Sequence, residues 1–222
     1  MRALQRVGIL LLLCVFAGES VLASGQTPSG ATPDGQAAFE NEHPSPDVLY
    51  TAQWVMDSLD NEGLPFVLVD KNNARVFLFD AKGRMLGASP ALIGSARGDT
   101  SVPGIGARKL SSIRPDERTT PAGRFVASLD RALNGEDILW VDYDSGVALH
   151  RVMSTSPQER RLQRMQSSSP AQHRITYGCI NVPVKFYEEV VRAAFEGTSG
   201  IVYVLPETRP AREVFRARSA KP

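Results

Sequence analysis

Two apolar runs, Pro65-Phe-Val-Leu-Val-Asp70 and Arg75-Val-Phe-Leu-Phe-Asp80, flank the turn-forming residues Lys71-Asn-Asn-Ala74. Branched and aromatic side chains suit a pleated, buried surface, so this spacing predicts an antiparallel hairpin. Ala81-Lys-Gly-Arg84 makes a second turn into Met85–Ile93. Further strands are predicted at Gly123–Leu129, Ile138–Val141, Gly146–His150 and Ile201–Leu205. Helical spacing appears at Pro157–Met165 and at Pro183–Phe195, where Val184, Tyr187, Val191 and Ala194/Phe195 share a face. The expected fold is mostly β with a few peripheral helices. Between Gly94 and Pro121 the Gly, Ser, Pro and Arg content reads as a long surface loop, a frequent carrier of function.

The N-terminus sets the compartment in which the rest is read. Arg2 and Arg6 precede the apolar run Val7–Ala17, and Val21-Leu-Ala23 offers small residues for cleavage before Ser24. That order reads as a secretory signal peptide over 1–23 and places the mature chain in the periplasm or cell envelope. The apolar run is too short to span a bilayer about 30 Å thick, so no integral membrane segment is expected after its removal. Cys14 lies inside the run and not at the cleavage point, which argues against a lipoprotein. Residues 24–45 are rich in Gly, Pro, Ser and Thr and read as a flexible linker. Ser45-Pro46 then starts a short helical lead-in over 46–63, with Val48, Ala52, Val55 and Leu59 at helical spacing. A folded domain over 64–206 and a tail over 207–222 complete the expected organisation.

Charge excludes some functions. The chain has 25 basic and 24 acidic residues, and loss of Arg2, Arg6 and Glu19 with the leader leaves 23 of each. Nothing favours electrostatic capture of nucleic acid or of an anionic membrane. Cysteine usage is more informative. Removal of Cys14 leaves Cys179 alone, and a single thiol in an oxidising compartment is either a buried bystander or a reactive group.

The surroundings of Cys179 favour chemistry. It lies in Ile175-Thr-Tyr-Gly-Cys-Ile-Asn-Val-Pro183, ahead of a helix expected near Pro183, whose N-terminal dipole would favour thiolate. Gly178 permits a tight turn, and the backbone N–H groups of Tyr177, Gly178 and Cys179 are candidate donors to an oxyanion. Of the three histidines, His43 falls in the linker, His150 ends the strand Val147-Ala-Leu149, and His173 lies six residues before Cys179. His150 is the expected base and His173 the competing candidate.

These residues resemble the L,D-transpeptidase catalytic-domain (YkuD-like) family. That family has a strand-end histidine and then Ser/Thr-His-Gly-Cys-hydrophobic-Asn/Arg, which Thr176-Tyr-Gly-Cys-Ile-Asn181 resembles. Val67–Phe79 resembles its opening hairpin, and Thr119-Thr-Pro-Ala-Gly-Arg-Phe125 its Thr-Pro-x-Gly-x-Phe turn. The resemblance spans Leu64 to Pro206. It implies a β-sandwich or barrel that works without metal or organic cofactor on peptidoglycan tetrapeptide stems. Cys179 would be the nucleophile forming a thioester, and His150 the base, oriented by the Arg151 backbone carbonyl. Tyr177, Gly178 and Cys179 would supply the oxyanion hole, with Asn181 as the polar residue that contacts substrate. The acceptor would be an amine, giving transpeptidation. Hydrolysis of the same thioester by water is the alternative, and a catalytically silent wall-binding module is a third reading.

Two departures are visible. Tyr177 replaces the family's second histidine and cannot serve as a base near neutral pH. The His150–Cys179 segment is also longer than usual, adding Gln158–Met165 and Ser167-Ser-Ser-Pro170, which reads either as a lid or as an inert excursion. Among the loop arginines 108, 151, 160, 161 and 174, Arg174 is the expected partner for a stem-peptide carboxylate.

Overall fold

The computed structural model describes Phe39 and residues 42–132, 134–154 and 156–216. The expected leader, most of the linker and the last residues of the tail lie outside these. Helix α1 (Pro46–Ser58) starts at Ser45, whose hydroxyl accepts the Val48 N–H, and has proline in its first turn. It stops where Leu59 adopts a left-handed conformation.

Ten strands follow: β1 (Phe66–Asp70), β2 (Arg75–Phe79), β3 (Met85–Pro90), β4 (Ile93–Gly94), β5 (Gly123–Arg131), β6 (Asp137–Asp142), β7 (Val147–Arg151), β8 (Arg174–Thr176), β9 (Ile180–Val182) and β10 (Ser199–Val204). Eight form one sheet in the order β3-β2-β1-β10-β5-β6-β7-β9, and β4 pairs with β8. The predicted hairpin is β1–β2, with Phe66 opposite Phe79 and Asp70 opposite Arg75. The outer strands β3 and β9 are drawn together just past β3, where Leu92 and Asn181 exchange two backbone hydrogen bonds of 2.8 Å. The sheet is thereby nearly closed, and the fold is mostly β.

The near-continuous apolar runs of β1, β2 and β10 have a physical reason: these strands are covered on both faces. Val67, Val69, Val76, Leu78, Val202 and Val204 point inward to Leu139, Leu149 and Ile180 and meet Tyr187, Val191 and Phe195 of a helical run. Phe66, Leu68, Phe77, Phe79, Ile201 and Tyr203 face the other way, onto Val48, Ala52 and Val55 of α1 and onto Phe215. Each fully buried side chain of this kind stabilises by about 1.5–3 kcal/mol. The helical run comprises α3 (Val184–Phe186), a π turn (Tyr187–Val191) and α4 (Arg192–Phe195). Its buried residues recur every four positions. Val184, expected on that face, is 50% exposed, because Pro183 has only just turned the chain out of β9.

The segment expected to be a helix over Pro157–Met165 is broken. A 3-10 turn (Pro157–Glu159) and helix α2 (Arg161–Met165) meet at Arg160, which has a left-handed backbone. The segment is nevertheless tied down. Met165 packs with Leu92, Val152 and Ile175, and Arg164 donates to the carbonyls of Glu159 and Gln172. Among the described residues no helix is long and apolar enough to cross a membrane.

Candidate active site

Parallel pairing of β7 with β9 places His150 directly beside Asn181, and Leu149 beside Ile180. Cys179 is one step before Ile180. By the two-residue alternation of a strand, it projects to the same side as Asn181. Sheet register therefore puts Cys179, just ahead of β9, two residues before the Asn181 that His150 faces.

The turn that carries Cys179 is held from several sides. The Thr176 hydroxyl donates to the Cys179 carbonyl at 2.6 Å and accepts the Gly178 N–H at 3.1 Å. Thr120 donates to the Gly178 carbonyl at 2.7 Å and accepts the Gly94 N–H at 2.9 Å. Gly178 has φ +134°, and a Cβ there would sit 2.9 Å from the Thr119 carbonyl oxygen, so glycine is needed for both conformation and space. The Thr119-Thr-Pro segment thus braces the nucleophile turn. Its two threonines have no chemical role legible in sequence.

His150 is fixed at both ring nitrogens. Nδ1 lies 2.8 Å from the Arg151 carbonyl oxygen and Nε2 lies 2.9 Å from Asn181 Nδ2. The other end of the Asn181 amide, Oδ1, accepts from Arg161 at 2.8 Å, and Arg161 Nε donates to Glu159 at 2.5 Å. The Cys179 thiol lies 3.7 Å from the Gly146 carbonyl oxygen. Thiol and imidazole each have a resting partner other than one another.

Electrostatics agrees with that parked state. Burial pushes the Cys179 thiol above its ordinary value, and a backbone hydrogen bond from Ala148 and the Arg161 charge only partly oppose it. Burial lowers His150; its bond to the Arg151 carbonyl pulls upward, while Arg161 adds to the lowering. Both shifts favour the uncharged forms, thiol and neutral imidazole, over an ion pair. The expected thiolate at a helix N-terminus is corrected here, because strand β9 separates Cys179 from Val184, where the helix begins, and desolvation dominates.

The remaining predicted residues have definite places. Tyr177 lies under the Arg118 guanidinium, 3.9 Å from ring centroid to Cζ. Arg151 pairs through its side chain with Asp137 and Glu188. Arg174 is bonded to Glu207 and to the Lys71 carbonyl, and its side chain is 10% exposed. It belongs to a buried charge cluster in which Lys71 donates to Asp99 and to the carbonyls of Gly98 and Thr120. Its guanidinium is committed to anchoring the chain at Glu207. His173 is also structural: it is buried, with its ring nitrogens at 3.0 Å from the Ala91 carbonyl and 2.9 Å from that of Ser167. Of the five arginines weighed in sequence, Arg161 rather than Arg174 is the one that reaches Asn181.

No protein-family model matches this sequence, and no curated protein matches it. Among solved structures, the helical cell shape determining protein Pgp2 from Campylobacter jejuni shares 15% identity with a TM-score of 0.43, covering 66% of this chain and 49% of that one. An L,D-transpeptidase from Xylanimonas cellulosilytica shares 15% identity with a TM-score of 0.36, covering 64% of this chain and 60% of that one. A point mutant of the same Pgp2 gives 13% identity and a TM-score of 0.44, covering 76% and 58%. The chain spans between about half and three-fifths of the solved chains it matches. At these identities and scores none of them transfers an activity to it.

Proposed function

We propose that this chain is an exported cysteine acyltransferase of the L,D-transpeptidase kind, acting on peptidoglycan tetrapeptide stems. The observation that carries the reading is the parallel β7–β9 pairing, which sets His150 beside Asn181, with Cys179 one residue ahead of β9. Cys179 attacks the amide carbonyl carbon of the stem; its thiol proton passes to His150 Nε2 once Asn181 has released that nitrogen. The Arg151 carbonyl holds the opposite ring edge. Collapse of the tetrahedral intermediate expels the terminal D-amino acid, whose amine takes the proton from His150, and leaves a thioester on Cys179. An acceptor amine, deprotonated by His150, then attacks the thioester carbonyl carbon; the C–S bond breaks as the new amide forms, and the departing Cys179 sulfur takes the proton back from His150.

The Tyr177 and Cys179 amides are the proposed oxyanion donors, since Gly178 N–H is turned to Thr176. Arg174 is not carried forward as a substrate ligand, its guanidinium being held by Glu207. No step calls for a metal or organic cofactor.

Incubation with a purified disaccharide-tetrapeptide, followed by mass spectrometry, tests the reading. Cross-linked dimer with loss of one terminal alanine is the expected product. Loss of alanine alone would assign hydrolysis to the same thioester, and unchanged substrate would remove both enzymatic readings.

A further inference from the structure

The Arg161–Asn181–His150 chain has an internal logic that fixes proton positions. An arginine side chain only donates, so the Asn181 atom facing Arg161 NH1 at 2.8 Å must be the amide oxygen. The other end of that amide, 2.9 Å from His150 Nε2, is therefore the NH2 group. A donor facing Nε2 requires a lone pair there, and the proton of a neutral imidazole then resides on Nδ1. At that nitrogen the Arg151 carbonyl waits as an acceptor at 2.8 Å. The two ends of the ring independently demand the same tautomer. It is the one that leaves Nε2 basic.

We infer that Arg161 is a positioning residue for His150, acting through the Asn181 amide, so that the long segment between β7 and β8 is a working part of the site. Arg161 touches neither the thiol nor the imidazole directly. It sets which way the buried amide points, and the amide sets which ring nitrogen is bare. Glu159 clamps the guanidinium from the same segment, and the packing of Met165 against Leu92 and Val152 holds α2 in place. Asn181 also caps the basic nitrogen at rest, so the base is preorganised in tautomer yet covered until the amide yields. Its role in turnover rests on the acyl-transfer reading. Its effect on the thiol and imidazole does not.

Among the described residues the charged groups bearing on His150 are Arg161, Glu136 and Arg151, and of these Arg161 also bears on Cys179. Loss of the Arg161 charge lets both the imidazolium and the protonated thiol persist to higher pH. The test is the pH profile of alkylation by iodoacetamide on the full chain between pH 5 and 10, with the adduct quantified on the peptide containing Cys179 so that Cys14 does not interfere. In Arg161→Ala the profile is expected to move to higher pH by about one unit, the size of effect a neighbouring charge produces. Arg161→Lys, which keeps a donor-only cation, is expected to return it close to the wild-type position. An unmoved profile in Arg161→Ala, or an equal shift in both variants, would overturn the inference. Long-range proton–nitrogen correlation spectra of the unaltered protein give a reading that no folding defect can confuse. Neutral His150 is expected with Nδ1 protonated and Nε2 bare, and the opposite tautomer would overturn the inference. A profile that shifts as expected in a protein inactive on peptidoglycan would remove the proposed substrate and leave the positioning role intact.

Discussion

Thr120 joins two strands' worth of backbone through one oxygen, donating to the Gly178 carbonyl at 2.7 Å while accepting the Gly94 N–H at 2.9 Å. The residue is 1% exposed, so water cannot replace either bond. Thr120→Val keeps the shape and strands both partners. Each buried unpaired backbone group costs about 1–3 kcal/mol, and a total loss of about 2 kcal/mol or more in urea unfolding is expected. Thr120→Ser should retain most of the stability. Equal stability of the valine and serine variants would contradict the bracing role.

Gly178 is more restricted still. An added methyl would have to share space with the Thr119 carbonyl at a backbone conformation unfavourable for any other residue. Gly178→Ala is expected to slow stem turnover at least tenfold, read by product assay. A misplacement of the nucleophile by about 1 Å is enough for a loss of turnover of this size or greater.

The raised thiol and lowered imidazole make a prediction about pH. Because burial holds the Cys179 thiol above its ordinary value, thiolate, and with it alkylation by iodoacetamide, should rise continuously from pH 6 through pH 9. His150, lowered by burial, stays neutral down to pH values below its usual range. A preformed thiolate–imidazolium pair would instead give a flat, high reactivity across pH 5–8. Observation of that plateau would contradict the neutral resting state.

Acid sensitivity should trace to the buried cluster around Lys71. Asp99 is opposed by its own burial, but hydrogen bonds from Thr208, from the Glu207 N–H and from Lys71 outweigh this and bring its carboxyl down from 3.8 to about 2. A carboxylate with a depressed folded-state value contributes stability above its unfolded value and loses it as pH falls toward the folded one. The window here runs from about pH 4 down to about pH 2. Asp99→Asn is expected to cost about 2 kcal/mol at pH 7 by urea unfolding, with the gap to the unaltered protein closing near pH 2. A gap independent of pH would exclude the linkage.

What sequence could and could not show divides along physical lines. Hairpin β1–β2 was legible because its residues alternate between two buried faces, and Ser45-Pro46 because a cap and a first-turn proline leave a local signature. Strands β8 and β9 were not, at three residues each; they exist by virtue of partners at Ile93 and Leu149 that no local pattern encodes. Cys179 and His150 stood out by rarity and neighbours. The thiol's charge state did not, since desolvation is a property of the assembled fold. Arg174 and Arg161 look alike in sequence, both basic residues in the segment between His150 and Cys179. Only the fold separates them, burying one against Glu207 and aiming the other at Asn181.

The most direct measurement of the central claim is intact-protein mass spectrometry after brief exposure to a tetrapeptide stem, on the unaltered protein and on Cys179→Ala. A covalent adduct equal to the stem less its terminal residue, mapped to Cys179 and missing from the alanine variant, is the expected result. The same products from Cys179→Ala, or neither adduct nor product from the unaltered protein, would contradict the assignment of Cys179 as the acyl-carrying nucleophile.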